Sequence, residues 1–225
     1  MHNPGGDIAE YVQGAVKITG VVAVGERAFA NCTLLTSVII SEGVADIGKA
    51  SFVGCSSLKS VDVPDSVYSI GDGAFSGCSS LQSVTIPDNV TSIGRDVFDR
   101  CSSLTAIRIP DGVTVIGIGA FQDSGLKSVV IPDGITSIRE RTFKNCTSLE
   151  SANIPPEVTM IGHEAFANCE SLEEIRIPSS VINMSNTAFL NCEGLYSVVI
   201  PRTSPLSAYI KFYFPRRMHD VIQVV

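Results

Sequence analysis

Several things are missing from this 225-residue chain, and each absence removes a class of function. Trp is absent and only three His are present. No apolar run approaches the ~18 residues that a membrane-spanning helix needs. Met1 to Tyr11 lacks a charged start followed by an apolar stretch, so no secretory leader is visible. A complete chain with these features is expected to be cytoplasmic or otherwise intracellular. A mature fragment of a secreted or cell-surface protein would read the same. An excess of cations is also missing: 16 Lys and Arg face 23 Asp and Glu, for a net charge of −7, which argues against nucleic acid as a partner. The balance is uneven, since Arg202, Lys211, Arg216 and Arg217 oppose only Asp220 after Pro201, giving that tail +3 and leaving −10 on the rest.

Catalytic and metal chemistry lack their parts. The seven Cys include no C-x-x-C pair, and no His accompanies them as a ligand, so neither a metal nor a cofactor is expected. His2 and His219 lie near the termini, and His163 falls at a repeat position otherwise held by Asp72, Arg95 and Ile118, which reads as an exposed side chain. The serine pairs Ser79-Ser80 and Ser102-Ser103 recur as turn residues without a base beside them. Gly71 and Gly94 lack the spacing of a phosphate loop. The chain does not read as an enzyme.

What is present is a period. The stretch Ile70 to Ser92 returns every 23 residues with small changes. Phe75 corresponds to Phe29 and Phe52 upstream and to Phe98, Phe121, Phe143, Phe166 and Phe189 downstream. Cys78 and Leu81 recur in the same phase. Ordering the backbone costs more than one such unit regains by burying its own apolar side chains, so single repeats do not fold alone. Stacking solves this, because each repeat covers the apolar face of its neighbour. Within the unit, Val84-Thr85-Ile86 alternates as a half-buried strand that Pro87 stops. Val90 and Ile93 mark a compact, partly extended return before Gly94. The segment Asp96 to Cys101 reads as a single helical turn on the opposite side.

Cysteine occupies one column of the stack, three residues after each Phe. Neighbouring strands about 4.8 Å apart are too distant for the usual disulfide Cβ separation of about 3.5–4.5 Å, so buried thiols acting as small apolar side chains are expected. Ser124 fills that column in the fifth repeat.

The pattern L-x-x-[VI]-x-[VI]-P-x-x-V-x-x-I-G-x-x-[AST]-F-x-x-C resembles the leucine-rich repeat of the BspA-like (Treponema pallidum-type) family, over about Val21 to Ile200. The resemblance implies an α/β fold: a right-handed curved solenoid with a parallel concave sheet and short helical turns or irregular segments on the convex side. It also implies binding rather than catalysis. Two functions fit: a protein-interaction module or scaffold subunit of a larger complex, and a surface adhesin that recognises host or matrix protein or glycan.

In chain order, residues 1–20 form an N-terminal segment and cap, with Ala15 to Ile18 as a first strand. Residues 21–200 carry eight repeats, and residues 201–225 form a cap or docking tail. One deletion shortens Phe121 to Phe143 to 22 residues, where Gly125 is expected to let the turn close. In the tail, Ala208, Ile210, Phe212 and Phe214 alternate as a closing strand; Tyr209, Phe212, Tyr213 and Phe214 alternatively make a docking segment. The binding face is expected at the strand centres: after Ile39, these are Asp62, Thr85, Arg108, Val130, Asn153, Arg176 and Val199. Flanking columns barely change, whereas this row mixes apolar, acidic and basic side chains. Arg108 and Arg176 are the expected anchors for an acidic or polar ligand.

Overall fold

The structure, a computed structural model, describes residues 12–214 and 216–225. The first eleven residues of the expected N-terminal segment, His2 among them, lie outside the described residues. Each repeat except the fourth contributes one short strand to a parallel front sheet. Gly14–Ile18, Leu35–Ile40, Ser60–Asp62 and Ser83–Val84 pair in one run. Ser128–Val129, Ser151–Ala152, Glu174–Arg176, Ser197–Ile200 and Ile222–Val224 pair in a second. Between the runs, residues 104–109 of the fourth repeat form no ladder. Within each run the Val and Ile columns are in register, as in Val38 opposite Val61 and Val61 opposite Val84. The V-x-x-I return is more regular than its sequence suggests. It forms a flank sheet of short parallel ladders, such as Ala23–Val24, Asp46–Ile47 and Ser69–Ile70.

The third side corrects the expected helical turn and, with it, the α/β label. Among the described residues there is no α-helix, and the repeats contain no helix of any kind. The G-x-x-[AST]-F-x-x-C segment is a run of turns because two positions in it take left-handed backbone. Arg27, Ala50, Gly73, Asp96, Gly119, Arg141 and Glu164 make one such column. Asn31, Gly54, Gly77, Arg100, Asp123, Asn145, Asn168 and Asn191 make the other. Left-handed residues interrupt a right-handed helix, and Gly, Asn and Asp take that conformation most cheaply. The resulting geometry frees every second amide. Arg27, Phe29 and Asn31 donate to the carbonyls of Lys49, Ser51 and Val53 in the next repeat at 2.9, 2.7 and 2.7 Å. Ala28, Ala30 and Cys32 close turns on Gly25, Arg27 and Phe29. A helix would keep all of these bonds to itself and leave nothing on this side to hold the next repeat.

The core is a set of parallel columns. Nine rings from Phe29 to Phe214 stack with centroids 5.2–5.7 Å apart. All seven Cys are buried and none is in a disulfide, as their spacing predicts. Their thiols do more than fill space. Cys55, Cys78 and Cys101 donate to the carbonyls of Phe29, Phe52 and Phe75 at 3.0, 3.2 and 3.3 Å. Cys146, Cys169 and Cys192 repeat the contact with Phe121, Phe143 and Phe166. Ser124 keeps the column polar by meeting Cys146 Sγ at 3.2 Å. At the 22-residue repeat, a Cβ on Gly125 would stand 2.2 Å from the Ser102 carbonyl, so only glycine lets the shortened turn pack there.

The ends differ from expectation at one place. Gly14–Ile18 pairs with Leu35–Ile40 as the first strand. The aromatic tail, however, is not a strand: Ile210–Tyr213 is a 3-10 turn. Leu206, Ile210 and Phe214 point inward at spacings of four, and Phe214 adds the ninth ring 5.3 Å from Phe189. The period-two reading fails because a helical period serves the same aromatics when the last repeat needs a lid rather than another ladder. The closing strand is Ile222–Val224, parallel to Val198–Ile200.

Candidate interaction face

Strand alternation sends two residues per repeat outward from the front sheet and one inward. The inward column holds Val38, Val61, Val84, Val129, Ile175 and Val198, all buried. One outward row is the expected one: Ile39, Asp62, Thr85, Arg108, Val130, Asn153 and Arg176 are all exposed. Val199 is half-buried and pairs with Gln223 of the closing strand, which makes it an edge position. The second outward row is mostly serine, with Ser60, Ser83, Ser128 and Ser151 exposed. Short side chains on that row leave the sheet floor shallow.

Several predicted site residues are already engaged. Arg108 Nη1 lies 2.6 Å from Asp88 Oδ1, and that carboxylate raises the guanidinium pKa further. Arg176 Nε donates to Glu174 Oε1 at 2.8 Å. Asn153 acts as a substitute for backbone: its Oδ1 accepts from the Ile131 amide at 2.6 Å and its Nδ2 donates to the Ile131 carbonyl at 3.0 Å. Among the described residues, the side chains of Asp62, Thr85 and Val130 make no such contact, and Val130 is 75% exposed. Of the tail residues, Phe214 and Tyr213 pack toward the stack, whereas Tyr209 and Phe212 stand 70% and 71% exposed.

The face as a whole is acidic. Glu42, Asp62, Asp65, Asp88, Asp111, Asp133, Glu150, Glu157, Glu173 and Glu174 lie on its strands and the turns that follow them. These ten carboxylates stand against the six cations Lys17, Lys59, Arg108, Lys127, Arg176 and Arg202, a balance of −4. Tyr196 donates to Glu173 Oε2 at 3.3 Å, and that carboxylate pushes the phenol pKa up.

Sequence reasoning misses a depression of about 540 Å³ lined by Ser128, Val129, Val130, Ser151, Ala152, Asn153, Ile154, Glu174 and Arg176. Two features create it. Ala152 takes the place of the branched residue of the inward column and is only half-buried where Val129 and Ile175 are buried, and Asn153, though exposed, is bonded down onto Ile131. The Ala is visible as S-A-N-I among S-V-x-I repeats. The folded Asn has no sequence signal.

On the turn side, His163 is exposed, as its repeat position suggests, with Nδ1 2.8 Å from Thr187 Oγ1. Glu164 lies 3.7 Å from the imidazole but 2.6 Å from Lys144 Nζ and 3.2 Å from Arg141 Nε, so its charge serves a structural ion-pair cluster. No helix among the described residues is long and apolar enough to cross a membrane.

With this geometry in hand, comparison with known proteins is informative. The model of the BspA-type leucine-rich-repeat region matches residues 22–150 and 114–214, with six copies. A leucine-rich-repeat protein of Treponema pallidum is 33% identical, with a TM-score of 0.66 over 70% of this chain and 77% of its own. A leucine-rich-repeat protein of Bacteroides ovatus is 23% identical with a TM-score of 0.36, covering 94% and 84%. A leucine-rich cell surface protein of Faecalibacterium prausnitzii is 23% identical with a TM-score of 0.35, covering 95% and 90%. No curated protein matches the chain. A stack of parallel-sheet turns carrying one Phe, one Cys and one Leu column, matched over most of its length, makes this chain a member of the BspA-type leucine-rich-repeat family.

Proposed function

We propose that the chain is a non-catalytic interaction module, acting alone or as a scaffold subunit, that binds a protein partner through the front face, the concave side expected of this fold. One observation carries the reading: the buried columns repeat almost unchanged, whereas the exposed row above them changes chemistry at nearly every step. Packing demands sameness from the columns, and nothing in the fold demands variety from the row. The acidic balance of the face favours a partner with a cationic or neutral surface.

The test compares two double variants in the native cell. Asp62→Lys with Val130→Lys alters the face, and Arg95→Glu with Glu140→Lys alters the turn side. Both should leave stability within about 0.5 kcal/mol, because the substituted side chains are at least partly exposed. Quantitative mass spectrometry of co-purifying protein should show loss of the partner from the first variant and retention by the second. The reverse outcome would move the binding surface to the turn side.

A further inference from the structure

Resting on the front face as the binding surface, we infer that the depression at the sixth strand is the anchor site for a cationic protein segment carrying one large aliphatic or aromatic side chain. The anchor half of the argument is shape. The small Ala152, half-buried where its column neighbours are buried, and Asn153, bonded down onto Ile131, form the floor of the depression, and Val130 makes an exposed apolar wall beside the opening. An apolar side chain seated there gains contact with Val129, Val130, Ala152 and Ile154 and loses contact with water.

The cationic half is charge. Strands and following turns of the three repeats around the depression carry Asp133, Glu150, Glu157, Glu173 and Glu174 against Lys127 and Arg176, a balance of −3. Arg176 is bonded through Nε to Glu174, whose carboxylate offsets the one cation that lines the opening. Glu173, in turn, is bonded to the exposed Tyr196, so a carboxylate and an aromatic ring face solvent together. That pair suits a lysine or arginine, which interacts with both. The rim serines Ser128 and Ser151 leave the approach open to an extended backbone.

The test uses the whole chain and a capped peptide, Lys-Lys-Gly-Leu-Gly-Lys, with two comparators in which Leu becomes Gly or all Lys become Glu. Methyl NMR follows Ala152, Val129 and Val130. The cationic Leu peptide should shift these methyls saturably, in the millimolar range or tighter. The Gly comparator should bind roughly tenfold more weakly, as expected for one lost apolar side chain, and the Glu comparator should not bind. Ala152→Ile restores the residue type of the column, as in Ile175, and should fold while weakening the peptide at least fivefold. Absent shifts, or shifts undiminished in Ala152→Ile, would overturn the site. Concentration-dependent shifts of the same methyls without peptide, with a dimer in sedimentation velocity that Ala152→Ile abolishes, would also overturn it, because the occupant would be a second copy. If Ala152→Ile retains the native partner that Asp62→Lys/Val130→Lys loses, the face stands and the anchor falls.

Discussion

Phe98→Ala probes the middle of the stack, where a ring has a stacked neighbour on each side. The Phe98 ring is fully buried, with Phe75 at 5.7 Å on one side and Phe121 at 5.6 Å on the other. Truncation removes a phenyl group and leaves a cavity that the neighbouring backbones resist closing. Phe98 is bonded through its amide to the Ala120 carbonyl at 2.8 Å, and Phe75 through its amide to Val97 at 3.0 Å. Burial lost plus cavity left predicts a cost of about 3–5 kcal/mol. Phe29 supplies an internal reference. Its ring is half-buried and stacks on Phe52 alone among the described rings, so Phe29→Ala should cost about half as much. Urea unfolding, followed through midpoint and slope, measures both. Hydrogen exchange adds the direction of damage: amides of the turn segments holding Phe75 and Phe121 should lose protection before those at Phe166. A Phe98→Ala cost below about 1 kcal/mol, or equal costs at the two sites, would refute the stacked-column account.

Burial pushes the Cys146 thiol up to about 12 and raises those of Cys101 and Cys169 as well. Above about pH 8.5 an unfolded chain releases these protons while the folded chain keeps them, so stability should fall with rising pH by about 1.4 kcal/mol per unit for each such thiol. A flat stability curve from pH 8.5 to 10 in urea titrations would contradict the buried column, as would rapid thiol labelling of the native protein. At Glu164, the Lys144 ammonium, with Arg141 assisting, holds the carboxyl below the usual range. Its stabilisation is present above the unfolded carboxylate pKa near 4.3 and is lost as pH falls through the lower folded value, so Glu164→Gln should cost about 1 kcal/mol at pH 7 and nothing at pH 2. Arg108→Ala should leave stability essentially unchanged despite its 2.6 Å ion pair, because both partners are exposed to solvent; a clear drop in Tm in thermal melts would contradict this.

How much of this was legible in the chain depends on what set each feature. The Phe, Cys and Leu columns were readable because a buried column tolerates few residue types, and repetition shows the tolerance directly. The turn side departs from expectation because a short apolar segment, Val97-Phe98 before Cys101, suits a helical turn by composition alone. The correcting signal lies one residue before each Cys and before Ser124, where Asn31, Gly54, Gly77, Asp123, Asn145, Asn168 and Asn191, with Arg100 the exception in residue type, form a left-handed column that no helix accommodates. The front row was placed correctly by period two, yet the pairing of Arg108 with Asp88 joins residues 20 apart in sequence and becomes visible only when turns and strands are superposed. The aromatic tail carries alternation and helical spacing at once, and only the exposed last ring of the column decides between them.

The alternating amides of the turn side give the stack a direction. There, each repeat donates forward, as Phe52 does to Ala74, while the glycine opening each turn donates backward, as Gly71 does to Ile47. Gly48, Gly117 and Gly162 repeat the backward bond, to Val24, Ile93 and Ile138, so such a junction is a two-way latch whose forward and backward halves are carried by different segments of the same repeat. Removing one whole period, for example residues 75–97, would bring a forward donor against the same kind of acceptor it had before, and inserting a period would do likewise. Length is thus a free variable of this architecture: a gene that gains or loses 23 codons in phase lengthens or shortens the face by one strand without creating a single new kind of bond.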